Sequence, residues 1–159
     1  MEDRSCRTVE GVRLLAAGAT PQFLLPAMFP GAWVWKHAEM PLRCLIVDDN
    51  APFLNAAASF LQREGLTVVG LASSITDALG QARELRPDVI LVDIMLGHES
   101  GFDLARRLTE ADLGDPTVIL ISTHEEEDFA ELIAEAPAAG FMSKSHMSAS
   151  TIRRLIEAP

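Results

Sequence analysis

Cysteine is scarce in this chain of 159 residues. Cys6 and Cys44 are the whole complement, too few and too badly placed for a disulfide framework. Cys44 lies in an apolar, strand-like run, where a thiol reads as a small buried hydrophobe, so a reducing cytoplasm is the expected setting. Basic side chains are also in short supply, 13 against 23 acidic ones, for a net charge of −10. The deficit is local. Residues 1–40 balance Arg4, Arg7, Arg13 and Lys36 against Glu2, Asp3, Glu10 and Glu39, so residues 41–159 carry the whole excess. Such a surface repels phosphate backbones and anionic lipid, which bind through clusters of Lys and Arg. Direct contact with nucleic acid or membrane is not expected. The 4 histidines are scattered without ligand spacing, which argues against zinc.

Charge is missing altogether from residues 14–35, a run long enough to suggest a signal peptide or a spanning helix. Pro21, Pro26 and Pro30 interrupt it, together with Gly18 and Gly31. The first ten residues of the chain mix Glu2, Asp3 and Glu10 with arginines, unlike the cleanly positive start of a secretory leader. Residues 1–40 are therefore expected to be an unstructured extension, or upstream sequence translated from an early start codon. Met40-Pro41-Leu42 then opens a well-patterned domain, residues 41–159. Apolar residues at 48% and charged ones at 23% suit one globular unit with a single core.

From Leu42 onward strand and helix signals alternate. Leu42 to Val47 is a short apolar run ending in Asp48-Asp49-Asn50. Pro52 suits a first helical turn, and Phe53, Leu54, Ala57, Ala58 and Leu61 recur at helical spacing up to Gly65. A second strand runs from Leu66 to Ala72. Ser73 or Ser74 can cap a helix that ends before Pro87. A third strand, Val89 to Val92, stops at Asp93, and Phe102, Leu104, Ala105 and Leu108 form the next helical face. Thr117 to Ile121 is the fourth strand and leads into Ser122-Thr123. Residues 125–136 read as one acidic helix whose first acids favour its N-terminus through the macrodipole. Gly140 to Ser143 is the fifth strand, ending at Lys144, and Ser148 can cap a last helix carrying Ile152, Leu155 and Ile156.

Five strand–helix units of this kind indicate a parallel sheet covered on both faces, because the strands are continuously apolar rather than alternating. Ligands of such sheets bind at the carboxyl ends of the strands. Here those ends present Asp48-Asp49, Asp93, Ser122-Thr123 and Lys144. Neighbouring carboxylates repel one another and favour a cation among them, and oxygen ligands suit a hard ion such as Mg²⁺. A lysine and a hydroxyl opposite them supply charge and hydrogen bonds to an incoming phosphoryl group, and an Asp can be its nucleophile, giving an acyl phosphate. Each residue alone has a plainer reading: a solvated turn for the acid pair, a helix cap for Ser122, a surface lysine for Lys144. Their joint placement at four strand ends is what marks a phosphoryl site.

Four segments carry a family likeness: Leu45-Ile46-Val47-Asp48-Asp49-Asn50, Asp88-Val89-Ile90-Leu91-Val92-Asp93-Ile94-Met95-Leu96, Val118-Ile119-Leu120-Ile121-Ser122 and Gly140-Phe141-Met142-Ser143-Lys144. In this order and spacing, over residues 42–157, the chain resembles the receiver domains of bacterial two-component response regulators. The resemblance implies a flavodoxin-like, doubly wound five-stranded parallel sheet, (βα)5, with strand order 2-1-3-4-5. It implies that Asp93 accepts a phosphoryl group from the phosphohistidine of a sensor histidine kinase or a phosphotransfer protein. It further implies Mg²⁺ held by Asp49, Asp93 and the Met95 carbonyl, with Asp48 acting mainly through water. Ser122 would hydrogen-bond the phosphoryl group, Lys144 would pair with it, and Phe141 stands where the family has its rotameric switch aromatic. The only chemistry implied is self-catalysed phosphorylation and dephosphorylation, not enzymatic turnover of another substrate. The signal would pass to an output protein that the sequence does not name, and a homodimer through the fourth helix, fifth strand and last helix is compatible with it.

Three departures from the family pattern bear on the site. Ser145 follows the lysine where many members have Pro. Thr123 stands where Ala is frequent, adding bulk against the swing of Phe141 and a second hydroxyl beside Ser122. Gly97 replaces a common Pro and is expected to loosen the loop after Asp93. His98 and His124 read as loop residues near the pocket, with His124 placed to influence the water that attacks an acyl phosphate.

Fifteen residues follow Lys144, and the last helix takes them, so a stand-alone receiver is the expectation. A truncated DNA-binding response regulator is the alternative. A haloacid-dehalogenase-type phosphatase also uses an Asp after its first strand, but wants a second Asp two positions later, where this chain has Asn50. A degenerate receiver serving only as a binding module does not suit a chain that retains the acid pair, Asp93, Ser122 and Lys144.

Overall fold

Val, Ile and Leu dominate five short strands: β1 (Arg43–Val47), β2 (Thr67–Ala72), β3 (Val89–Asp93), β4 (Thr117–Ser122) and β5 (Gly140–Ser143). The computed structural model describes residues 41–158, and the expectation for residues 1–40 lies outside them. All four strand pairings of the sheet are parallel. Leaving aside a two-residue ladder of Met95–Leu96 against Glu99–Ser100, the strand order is 2-1-3-4-5, as expected of a flavodoxin-like sheet. Every residue of β3 is buried, in keeping with a central strand covered on both faces.

Five helices do the covering: α1 (Ala51–Arg63), α2 (Ile75–Leu85), α3 (Gly101–Glu110), α4 (Ala130–Glu135) and α5 (Ala149–Glu157). Four of them start on a side-chain cap. Asn50, Ser74, Ser100 and Ser148 accept the backbone N–H groups of Phe53, Asp77, Phe102 and Thr151 at 3.0–3.2 Å, each satisfying a donor that the first helical turn leaves open. Successive strand residues point to opposite faces, and the core divides accordingly. Leu45, Val47, Ile90, Val92 and Leu120 pack with Ala78 and Ala82 of α2 and Leu104 and Leu108 of α3. Ile46, Leu91, Ile119 and Ile121 pack with Leu54 and Leu61 of α1 and Ile152 of α5.

The acidic helix expected over 125–136 is not continuous. A 3-10 turn over Glu126–Phe129 precedes α4, and Phe129 leaves helical geometry with φ −130° and ψ 22°. Glu125 N–H donates to Asp128 Oδ2 at 3.3 Å, closing a cap around the turn. Phe129 turns toward the ring of His124, 5.7 Å away and perpendicular, and toward Phe102, 6.4 Å away.

One glycine couples the fold to the strand end that matters. Gly101 begins α3 and donates its N–H to the Ile94 carbonyl at 3.0 Å. A Cβ on Gly101 would lie 2.7 Å from Ile94 Cα and closer still to the Asp93 carbonyl oxygen, neither of which can rotate away. Gly80, in the middle of α2, has open space where its Cβ would be. Gly101→Ala should therefore lower unfolding stability by about 2 kcal/mol through overpacking. Gly80→Ala should raise it by about 1 kcal/mol through helix propensity. Urea unfolding of both variants checks the pair, and equal stabilities would contradict the close approach at Asp93.

Candidate phosphoryl-transfer site

Register places the site. In β1 and β3, Val47 lies opposite Val92, which makes Asp48 and Asp93 the next residues of adjacent strands. Asp93 lies opposite Ile121 in β4, and Ser122 lies opposite Ser143 in β5, one residue before Lys144. Carboxylate oxygens of Asp48, Asp49 and Asp93 all come within 4.8 Å of one another. Asp48 is fully buried, Asp93 is 6% exposed and Asp49 faces solvent.

Such crowding shows in the protonation equilibria. Burial is the main reason that the Asp93 carboxyl sits above the usual carboxylate range. The charge of Asp48 adds to it, while Lys144 and the Met95 N–H pull the other way. Met95 N–H donates to Asp93 Oδ1 at 3.3 Å. Lys144 Nζ donates to Asp93 Oδ2 at 3.2 Å and lies 2.5 Å from Asp48 Oδ2. Asp48 Oδ2 is thus buried with the ammonium directly against it, as an ion pair. Burial is also the largest influence on the ammonium and would lower its pKa, but the two carboxylates together outweigh it and the net shift is upward.

Local structure holds these groups in place. Asp48 Oδ1 accepts the Asn50 N–H at 2.9 Å, and Asn50 in turn caps α1 at Phe53. The Phe53 ring lies beneath Lys144 Nζ, 4.3 Å from its centroid. Glu99 Oε1 accepts the Ile75 N–H at 2.9 Å and ties the loop after Asp93 to the start of α2. Gly97, with φ 63°, a value closed to Pro, makes the turn of the Met95–Ser100 ladder, beside Asp49. Ser145, in place of the frequent Pro, donates its N–H to Ser143 Oγ at 3.3 Å, a bond that Pro cannot make.

Asp48, Asp49, Asp93 and Lys144 thus come together as the sequence suggests, with the Met95 backbone beside them. Ser122, 1% exposed, is engaged elsewhere: its Oγ accepts the His124 N–H at 3.0 Å and lies 3.4 Å from His124 Nδ1. Thr123 is exposed, and Phe141 is half-buried against the α2–α3 side of the core. Sequence reasoning placed Phe53 only on a helix face and passed over Asn50 and Glu99. Asn50 carried a signal, an Asx residue just before a Pro-started helix, whereas Phe53 and Glu99 depend on contacts across the fold. Three clustered carboxylates, two of them sharing a single ammonium, fit a hard divalent cation.

Sheet order and an acid cluster at the carboxyl edge define a flavodoxin-like domain with its pocket at the switch point in strand order. Residues 44–157 match the response regulator receiver domain family, and the chain belongs to it. GacA, a response regulator of Pseudomonas viridiflava, is 36% identical over 104 residues, covering 65% of this chain and 48% of GacA. The chain spans about half the length of the curated relatives it matches. The signal receiver domain of NarL from Mycobacterium tuberculosis superimposes with TM-score 0.65 at 24% identity, covering 74% of this chain and 98% of that one, a likeness of fold. A response regulator from Burkholderia pseudomallei, solved with a phosphorylated aspartic acid and a calcium ion, gives TM-score 0.63 at 25% identity over 74% of this chain and 67% of that one. No helix among the described residues is long and apolar enough to cross a membrane.

The charge balance of the cluster can be tested directly. Lys144→Met leaves buried carboxylates without their cation, which should cost about 3 kcal/mol of stability in metal-free buffer. Millimolar Mg²⁺ should restore more stability to the variant than it adds to the wild type. Unfolding curves with and without Mg²⁺ check both, and a variant as stable as wild type in EDTA would contradict the geometry.

Proposed function

We propose that the chain is a stand-alone receiver in a cytoplasmic two-component phosphorelay, with residues 41–159 as the receiver domain and Asp93 as the phosphoacceptor. The observation that carries this reading is the nearly buried Asp93 carboxylate at the end of β3, clustered with Asp48 and Asp49 and hydrogen-bonded to Lys144. The phosphorylated aspartic acid of the Burkholderia pseudomallei relative supports it. The donor is the phosphohistidine of a sensor histidine kinase or a phosphotransfer protein. An Asp93 oxygen forms a bond to phosphorus as the histidine N–P bond breaks, and that electron pair returns to the imidazole. Asp49, Asp93 and the Met95 carbonyl would hold Mg²⁺, with Asp48 through water; when bound, the ion supplies positive charge between carboxylates and phosphoryl oxygens. Lys144 turns from the carboxylates to pair with the phosphoryl group.

Ser122 gives up His124 and hydrogen-bonds the phosphoryl group, and Phe141 turns inward behind β4, against the bulk of Thr123. The face made by α4, β5 and α5 changes with it and is read by a protein partner, a second copy of the chain included. Phosphate shifts this equilibrium only by its differential interaction with the two arrangements. The acidic surface disfavours direct nucleic-acid binding, and no turnover of another substrate is assigned. A second reading follows from relatives about twice as long as the matched region: the domain is the receiver of a longer regulator, with its output in a separate domain.

Asp93→Asn keeps the shape of the side chain and loses the nucleophilic oxygen. It should abolish Mg²⁺-dependent labelling by acetyl phosphate, while Ser122→Ala is still labelled but shows a weaker shift of backbone NMR signals over residues 125–156 with beryllofluoride. Full labelling of Asp93→Asn would refute the assignment.

A further inference from the structure

Lys144 Nζ has three neighbours: Asp48 Oδ2 at 2.5 Å, Asp93 Oδ2 at 3.2 Å and the face of Phe53, 4.3 Å from the ring centroid. Its side chain is 12% exposed, so little water reaches the ammonium and the ring stands in for part of the lost hydration. From this geometry we infer that Phe53 is a positioning residue for Lys144, its ring holding the ammonium over the phosphoacceptor. The inference rests on the reading of Asp93 as the site of phosphorylation.

An aromatic face suits this task better than the alternatives. The negative face of the ring attracts a cation within about 6 Å of its centroid. It does so without a fixed direction, so Nζ can move from Asp48 toward a phosphoryl oxygen while staying over the ring. A carboxylate at position 53 would compete with the phosphoryl group for the same charge, and an aliphatic chain would fill the space with no attraction. Moreover, Phe53 is anchored to the pocket itself. Asp48 Oδ1 accepts the Asn50 N–H at 2.9 Å, Asn50 Oδ1 accepts the Phe53 N–H at 3.0 Å, and the Phe53 ring meets the lysine whose nitrogen faces the other oxygen of Asp48. Asp48, Asn50, Phe53 and Lys144 therefore form a closed circuit that joins the end of β1, the first turn of α1 and the end of β5. Pro52, in the first turn of α1, restricts the backbone just before the ring. Packing alone gives Phe53 a partial seat, since it lies at the border of the α1–α5 side of the core and remains half-buried.

The test measures initial rates of phosphorylation by acetyl phosphate with Mg²⁺, at subsaturating donor, for Phe53→Leu, Phe53→Tyr and the protein carrying pentafluorophenylalanine at position 53. Leu keeps apolar bulk without the ring face, Tyr keeps the face, and pentafluorophenylalanine keeps the ring's shape but reverses its face charge. Loss of the cation–π contact should slow the Leu and pentafluoro proteins about five-fold and leave Tyr near the wild-type rate. The Lys144 ε-methylene protons should show an upfield ring-current shift in the wild type and Tyr proteins that Leu abolishes. Wild-type rates in the pentafluoro protein, or equal losses in Tyr and Leu, would overturn the inference and leave Asp93 as phosphoacceptor. A wild-type protein that acetyl phosphate does not label at all would remove the Asp93 reading and this inference with it.

Discussion

Charge crowding at the carboxyl edge of the sheet is the constraint on which the rest of the structure turns. Carboxylates of Asp48, Asp49 and Asp93 approach one another within 4.8 Å, and the ammonium of Lys144 is the positive group set between Asp48 and Asp93. Two of these acids are almost out of water, where like charges repel far more than in solvent. The surrounding fold is arranged to hold them there. Parallel register aligns the ends of β1 and β3, Gly101 lets α3 press against the Asp93 backbone, and the Asn50 cap starts α1 from Asp48 itself. An arrangement so short of positive charge is poised to take it up, which is the physical basis for proposing a divalent cation there.

Much of this was legible in the sequence, for reasons of burial and periodicity. Strands covered on both faces read as unbroken apolar runs, so the ends of β1, β3, β4 and β5 could be located, and with them Asp48, Asp93, Ser122 and Lys144. Ser148, and Ser74 as one of two candidates with Ser73, announced their helices because capping depends on residues three apart in the chain. What could not be read depends on contacts between distant segments. Phe129 interrupts the expected helix over 125–136 because His124 and Phe102 offer its ring a better environment. Gly97 takes the left-handed turn of a short ladder in which Leu96 and Glu99 pair across it, a pairing the sequence does not announce. Phe53 repeats at helical spacing like any core residue, and nothing local reveals the lysine above it.

Ser122 shows how the resting site is held. Its hydroxyl is taken up by His124, whose ring is seated against Phe129, so hydroxyl, imidazole and the turn before α4 form one connected group. In the proposed switch, a phosphoryl group on Asp93 competes for that hydroxyl and draws on the same group. The energy available is the difference between two sets of hydrogen bonds plus the burial of Phe141, a balance that modest substitutions near β4 can tip.

In the proposed function the acid cluster binds one divalent cation before phosphorylation. Isothermal titration of Mg²⁺ into the whole chain at neutral pH measures this binding, with Asp49→Asn and Asp93→Asn titrated alongside. A single site is expected in the wild type that weakens sharply in both variants, since each removes charge and an oxygen ligand from the same cluster. Mg²⁺ binding undiminished in either variant, or no binding by the wild type, would contradict that proposal.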